Sequence, residues 1–253
     1  MERGEYDRLA AVEDRMWWFR GLHANLIAAW ERNRPPAPRD AAGACRKWRV
    51  LDAGCGTGGF LARLKVRAPE ATAFGLERDF AACVLAQAKS GCAVVLGSVD
   101  ALPFPDQSFD AILSADVLCH RGVAERAALG EFHRCLRPGG IVVLNLPAYR
   151  WLHAAHDEAV HNRRRFHRQE LLTLLAGAGF AAPRATHWNS LLFPLMLVRR
   201  KLAQDRRGAS EVRLLPAPVE RAFSLCLAIE RRLVAAGVAL PYGGSILATA
   251  VRP

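Results

Sequence analysis

The stretch VLDAGCGTGGF, residues 50 to 60, decides how the rest of the chain is read. An apolar run that starts before it at Trp48 ends here in closely spaced glycines, and Gly54, Gly56 and Gly59 satisfy GxGxxG. Glycines in that position let a backbone leave a strand, turn tightly and approach a ligand beside the N-terminus of the next helix. The pattern also fits a dinucleotide-binding loop, so the glycines alone indicate a nucleotide-type pocket and no more.

Working outward, apolar strands and amphipathic helices alternate. Strands are expected at 48–53, 72–76, 93–96, 110–114 and 140–146, and helices at 58–67, 79–89, 123–135 and 168–178. Strand and helix in turn build a doubly wound α/β fold, here a mostly parallel sheet of seven strands once the runs at 184–189 and 245–252 are added. Between those last two strands lie about fifty residues, far more than the roughly two to five of an ordinary hairpin connection. This helical insertion, about 191–240, contains VERAFSLCLAIERRLVAA, where Ala222, Leu225, Ile229 and Leu233 share one face and are expected to pack inward.

Upstream, residues 5 to 31 carry apolar positions at helical spacing and are read as one helix. The stretch NRPPAPRDAAGAC (33–45) breaks it. The chain is therefore divided into an N-terminal helical lid and loop, 1–45, and a ligand-binding domain, 46–253.

The downstream residues narrow the pocket. Asp52 stands two places before the first glycine, giving DxGxGxG; GLERD places Glu77 at the end of the second strand; GSVDALPFPDQSFDAILS (97–114) is an acidic loop; LRPGGIVVLNLP (136–147) is a turn and strand. In this order they resemble the class I S-adenosylmethionine-dependent methyltransferases, in particular bacterial small-molecule enzymes. A carboxylate at Asp52 suits the cationic S-adenosyl-L-methionine better than the pyrophosphate of a nicotinamide cofactor. The resemblance implies that Glu77 accepts from both ribose hydroxyls and Asp100 from the adenine amino group. It extends the cofactor pocket over Asp52, Gly54, Cys55, Gly56, Gly58, Glu77, Arg78, Val99, Asp100, Ala101 and Ser114, with Trp18 and Arg20 of MWWFRG folding over it as a lid.

Transfer of an already activated methyl group is mainly a matter of alignment, and a general base serves only some acceptors. The resemblance turns His120 of SADVLCHRG toward the acceptor, making it the first candidate base. The stretch PAYRWLHAAHDEAVHNRRRFHRQEL (147–171) adds His156 and His161 as hydrogen-bonding or proton-transferring groups, with Tyr149, Asp157 and Arg164 as substrate contacts. An arginine among 163–165 could fork an anionic group, or Asp157 could tie one down as a structural salt bridge. His153, His156, Asp157, His161 and His167 do not follow metal-ligand spacing, and no metal is expected.

The formal charge of +11 is uneven: residues 1–149 hold 19 Lys+Arg against 17 Asp+Glu, residues 150–253 hold 16 against 7. An anionic or lipid-like small acceptor, peripheral contact with a membrane through 191–207, or nucleic acid would suit that excess. Nucleic acid is the weaker reading, since no RNA- or DNA-binding module accompanies the charge. The seven cysteines include no CxxC pair. A reducing cytoplasmic setting is expected. A methyltransferase acting on a small or lipid-like molecule is the leading expectation, with a nucleic-acid methyltransferase and a cofactor-binding protein without turnover as the alternatives.

Overall fold

In the computed structural model, the described residues are 3–39, 43–153, 157–158, 161–202 and 214–253. The elements run α1 (Arg3–Val12), α2 (Trp17–Asn33), β1 (Trp48–Ala53), α3 (Gly59–Arg67), β2 (Ala71–Glu77), α4 (Phe80–Ser90), β3 (Ala93–Leu96), β4 (Phe109–Ala115) and α5 (Glu125–Cys135). They continue through β5 (Leu136–Pro147), α6 (Arg168–Gly177), β6 (Ala181–Trp188), α7 (Phe193–Leu202), α8 (Ala217–Ala235) and β7 (Ser245–Val251). The strands form one seven-stranded sheet in the order β3-β2-β1-β4-β5-β7-β6. β7 alone runs antiparallel, slotted between β5 and β6.

The central strands are apolar on both faces, as a sheet covered on both sides requires. Leu51, Ile112 and Val142 face one cluster with Leu129 and Phe132 of α5 and Leu171 of α6. Their neighbours Val50, Ala111 and Val143 face the other, with Leu26 and Trp30 of α2 and Leu61 of α3. The order of the strands reverses between β1 and β4, so β1 and β4 lead opposite ways and a crevice opens beyond their carboxyl ends.

Two sequence expectations need correction. The helix expected over 5–31 is two helices, because the chain turns at residues 13–16. Arg15 and Met16 both donate their N–H to Val12, and Glu13, 4% exposed, reaches into the glycine loop, where it accepts from Thr57 Oγ1 at 2.6 Å and Lys89 Nζ at 2.5 Å.

α8 packs with a different face than expected. Leu225, Ile229 and Leu233 are 62%, 43% and 40% exposed, while Glu220, Leu227 and Glu230 are buried. The two glutamates have backbone work: Glu220 accepts from Trp17 N at 2.6 Å and Leu215 N at 2.9 Å, and Glu230 from Leu191 N at 2.6 Å. Leu227 sits on Gly21 of α2, where a Cβ would lie 2.2 Å from its Cδ1. Tying down helix ends and admitting a close helix crossing outweigh burial of the more apolar stripe.

Candidate active site

The loop after β1 is built for close approach. Gly54 has φ +90, and a Cβ there would meet Val117 Cγ2 at 2.3 Å. Gly58, φ +86, leads into α3 with a Cβ position only 2.6 Å from Ala86 Cα. The first glycine brings the loop against the β4 end of the crevice, and the second lets α3 lie against α4.

Above this loop opens a cavity of about 790 Å³, within the usual range for small-molecule sites, roughly 300–1,000 Å³. Its inner end is acidic. Asp52 is 3% exposed and its Oδ2 has no hydrogen-bond partner among the described residues. Burial pushes its carboxyl well above the usual range, with the nearby charges of Glu77 and Glu13 adding to the effect. Glu77 accepts from Gly56 N at 2.9 Å through one oxygen and from Arg78 N at 2.8 Å and Asp79 N at 3.1 Å through the other. Three carboxylates around a loop of backbone N–H groups, one with an unmet oxygen, suit a ligand carrying positive charge and oppose a pyrophosphate.

Of the cofactor residues expected from sequence, Trp18, Asp52, Gly54, Cys55, Gly56, Glu77, Arg78 and Val99 line this cavity. Gly58, Asp100, Ala101, Ser114 and Arg20 are not on its wall, and most have other employment. Gly58 packs on Ala86; Ser114 Oγ donates to Ala53 O at 2.7 Å; Asp100 Oδ1 accepts from Ala124 N at 3.1 Å, just before α5. Both adjacent tryptophans line the cavity, because α2 is wedged between cavity and insertion: Trp17 meets Phe223 edge-on at 5.2 Å and Trp18 lies over Trp188 at 6.1 Å.

On the acceptor side, His120, Asp157 and His161 line the cavity. His156 lies outside the described residues. Tyr149 and Arg164 do not reach the wall. Tyr149 stacks on His187 at 5.4 Å, and Arg164 pairs with Glu125 at 3.0 Å while its guanidinium covers Phe166 at 4.3 Å. Arg163 is likewise drawn to Glu125, at 3.1 Å. Arg165 does face the cavity, but it is tied to the fully buried Asp157 at 2.9 Å. The ion pair is thus the structural tie, and the anionic group that a free arginine could fork has no such arginine among 163–165. Among the described residues no three metal-ligating side chains converge.

Several wall residues escaped sequence reasoning. Glu13 fell within the single helix expected over 5–31 and was given no role. His23, 4% exposed, sits 5.5 Å from Phe60, and burial, helped by Arg63 and Lys89, lowers it to about 3, so it is a neutral ring in the wall. Asp116 belongs to the first residues of SADVLCHRG, Ser114 to Asp116, which the resemblance sets beside the methionine part of the donor. It follows β4 with φ +55 and accepts from Asn145 Nδ2 at 3.0 Å. Leu192, Leu195, Met196, Leu215 and Phe223, from the insertion, form an apolar outer wall; the first three lie in the stretch 191–207 that the sequence assigned to a membrane surface or a lipid-like acceptor, and Leu215 and Phe223 were not singled out.

Comparison with known proteins agrees with this geometry. Residues 51–144 match the family model described as a methyltransferase domain. A malonyl-[acyl-carrier protein] O-methyltransferase of Dechloromonas aromatica is 39% identical over 95 residues, 38% of this chain and 35% of that protein. A demethylmenaquinone methyltransferase of Thermus thermophilus is 44% identical over 108 residues, 39% of this chain and 47% of that one. The matched stretch therefore spans less than half the length of these two relatives. A SAM-dependent methyltransferase structure from Thermotoga maritima superposes over 99% of this chain and 95% of its own with a TM-score of 0.60 at 19% identity. A Haemonchus contortus phosphoethanolamine N-methyltransferase, solved with S-adenosyl-L-methionine, covers 91% of this chain and 52% of its own with a TM-score of 0.58 at 16% identity. Residues 51–144 are a methyltransferase domain, and the fold that carries them is that of the class I S-adenosylmethionine-dependent methyltransferases.

Proposed function

We propose that the chain transfers a methyl group from S-adenosyl-L-methionine to an amphipathic, lipid-like small molecule. The observation that carries this is the division of this cavity: carboxylates and backbone N–H groups at the glycine loop, an aliphatic and aromatic wall from α2, α7 and α8 at the other end. The donor supplies a methyl group already activated by its sulfonium. Asp52, Glu77 and the loop backbone hold its polar parts, Val99 and Trp18 flank it, and α1–α2 act as a lid clasped to the loop through Glu13, Thr57 and Lys89. The relatives that act on menaquinone precursors, malonyl-carrier and sterol substrates favour an acceptor of this class.

Incubation of the protein with tritiated-methyl donor and either a bacterial lipid extract in mixed micelles, the aqueous metabolites or bulk tRNA tests the reading. Label is expected in the organic phase. Label in tRNA, falling steeply with salt, overturns it in favour of nucleic acid, and donor binding without label in any fraction favours a binding protein without turnover.

A second contact, with an anionic lipid surface, is favoured by α8. Its exposed Leu225, Ile229 and Leu233 lie between the exposed Arg221 and Arg232, an apolar stripe with cationic ends, on the same insertion that supplies the apolar cavity wall. Among the described residues no helix is long and apolar enough to cross a membrane, so the contact is peripheral. Sedimentation with phosphatidylglycerol vesicles is expected, and with phosphatidylcholine vesicles it is not; an Ile229→Asp variant that sediments as well as the parent contradicts this contact.

A further inference from the structure

Asp116 is placed with unusual care. It is the first residue beyond β4, at the carboxyl edge of the sheet where the crevice opens, and it lines the cavity. Its φ of +55 is a left-handed conformation that aspartate tolerates but that a strand does not ask for. Two bonds hold it to Asn145 on the neighbouring strand: Asp116 N donates to Asn145 O at 2.8 Å, and Asn145 Nδ2 donates to Asp116 Oδ1 at 3.0 Å. Asn145 is fully buried, and its own amide cannot flip, because its Oδ1 accepts from Trp188 Nε1 at 2.7 Å. Indole, amide and carboxylate thus form a relay whose last member has one oxygen engaged, while no described residue donates to Oδ2.

We propose that Asp116 is the proton acceptor of the transfer, the catalytic residue that takes the hydrogen displaced from the methyl-accepting atom. The inference rests on the methyltransferase reading above. In the step, a lone pair on the acceptor atom forms the new bond to the methyl carbon. The sulfur–methyl bond breaks with its electrons passing to sulfur, which leaves as a neutral thioether, and the acceptor's proton moves to Asp116 Oδ2 and from there to solvent. Asn145 and Trp188 are positioning residues: they fix the carboxylate without giving it a counter-charge. Burial raises the carboxyl to about 7, against the hydrogen bond from Asn145 and the charge of Arg165, and with the charge of Asp157. A base poised there is about half ionised near neutral pH and still basic. Arg165 and Asp157 neutralise one another, and among the described residues His120, Arg121, His161 and the buried Cys119 thiol are further titratable groups on this side of the cavity.

Two measurements test the proposal. The first needs no acceptor. Because the folded-state value is raised, ionised Asp116 works against folding, and the penalty grows as pH rises from about 4 to about 7. Asp116→Asn is therefore expected to gain melting temperature relative to the parent over that interval; a gap that stays flat or shrinks with rising pH overturns the proposal. The second uses the labelled donor with the lipid extract. Asp116→Asn is expected to lose at least about 100-fold in rate, and Asn145→Leu to shift the pH–rate profile upward. Loss in His120→Asn with full transfer in Asp116→Asn contradicts the assignment. If the parent itself transfers no label, the methyltransferase reading fails, and the melting measurement still decides how Asp116 titrates.

Discussion

Asp110 and Asp116 lie six residues apart around the same strand and face opposite fates. Asp110, near the amino end of β4, is gripped by Arg46 through both oxygens at 2.7 Å, by Arg49 N at 2.7 Å and by Arg137 at 3.1 Å. Burial alone would raise its carboxyl, but the bonds from Arg46, Arg49 N and Arg137 outweigh it and hold it below the usual range. Asp116, at the carboxyl end, has a single amide donor and is raised to about 7. Asp52, also toward that end, has one oxygen with no partner. The two ends of one sheet thus spend buried carboxylates differently. The charge of Asp110 is matched and closes the structure, whereas Asp52 and Asp116, unlike Glu77 beside the glycine loop, each keep an oxygen that no described residue satisfies, which costs stability and leaves something for a ligand to satisfy.

Substitutions at the two ends should break this contrast if it is wrong. The largest effect is the loss of transfer in Asp116→Asn, with folding retained. Next, Asp110→Ala leaves Arg46 and Arg137 without their partner and is expected to cost about 3 kcal/mol, read by chemical denaturation, while leaving donor affinity intact. A lowered carboxyl contributes stability above its unfolded value, and that contribution is lost as pH falls through the folded one. The gap between parent and Asp110→Asn is therefore expected to be full at neutral pH and to fade below about pH 4, opposite in sign to the trend at Asp116. Glu13→Gln weakens the tie between the α1–α2 turn and the glycine loop; a severalfold faster release of donor, measured by stopped flow, is the expected result. Smallest is Ile229→Asp, expected within about 0.5 kcal/mol of the parent in stability because the site is solvent-exposed; a large loss would mean that α8 packs through that stripe after all.

The fold was legible because strand periodicity and the glycine loop are local signals. Every strand expected from sequence lies within an observed strand to within a residue or two, and the long connection before β7 was visible as length alone. What failed were judgements that depend on distant partners. Hydrophobic counting chose the outer face of α8, since it gives no credit to Glu220 and Glu230 for satisfying Trp17 N and Leu191 N across the chain. It ran one helix through Glu13 because nothing local announces that Thr57 and Lys89 wait for that carboxylate. In the site, Asp52, Gly54, Cys55 and Gly56 of the glycine turn lie on the cavity wall and Gly58 does not, while Arg164 and Tyr149 are drawn elsewhere by Glu125 and His187. Asp116 lay in the segment SADVLCHRG, but its placement depends on a bond to Asn145 and, through it, to Trp188, 29 and 72 residues away.

The unmatched carboxylates of the carboxyl end can be tested together by titration calorimetry of S-adenosyl-L-methionine in buffers of differing ionisation enthalpy. Binding a cation beside Asp52 draws its raised carboxyl into the ionised form, so the parent should bind with release of protons. Asp52→Asn should bind at least about tenfold more weakly, as expected for loss of a charged hydrogen bond, and with that release abolished. Equal affinity and equal proton release in the two proteins, or preferential binding of a nicotinamide dinucleotide by the parent, would contradict the assignment of this cavity to a cationic methyl donor.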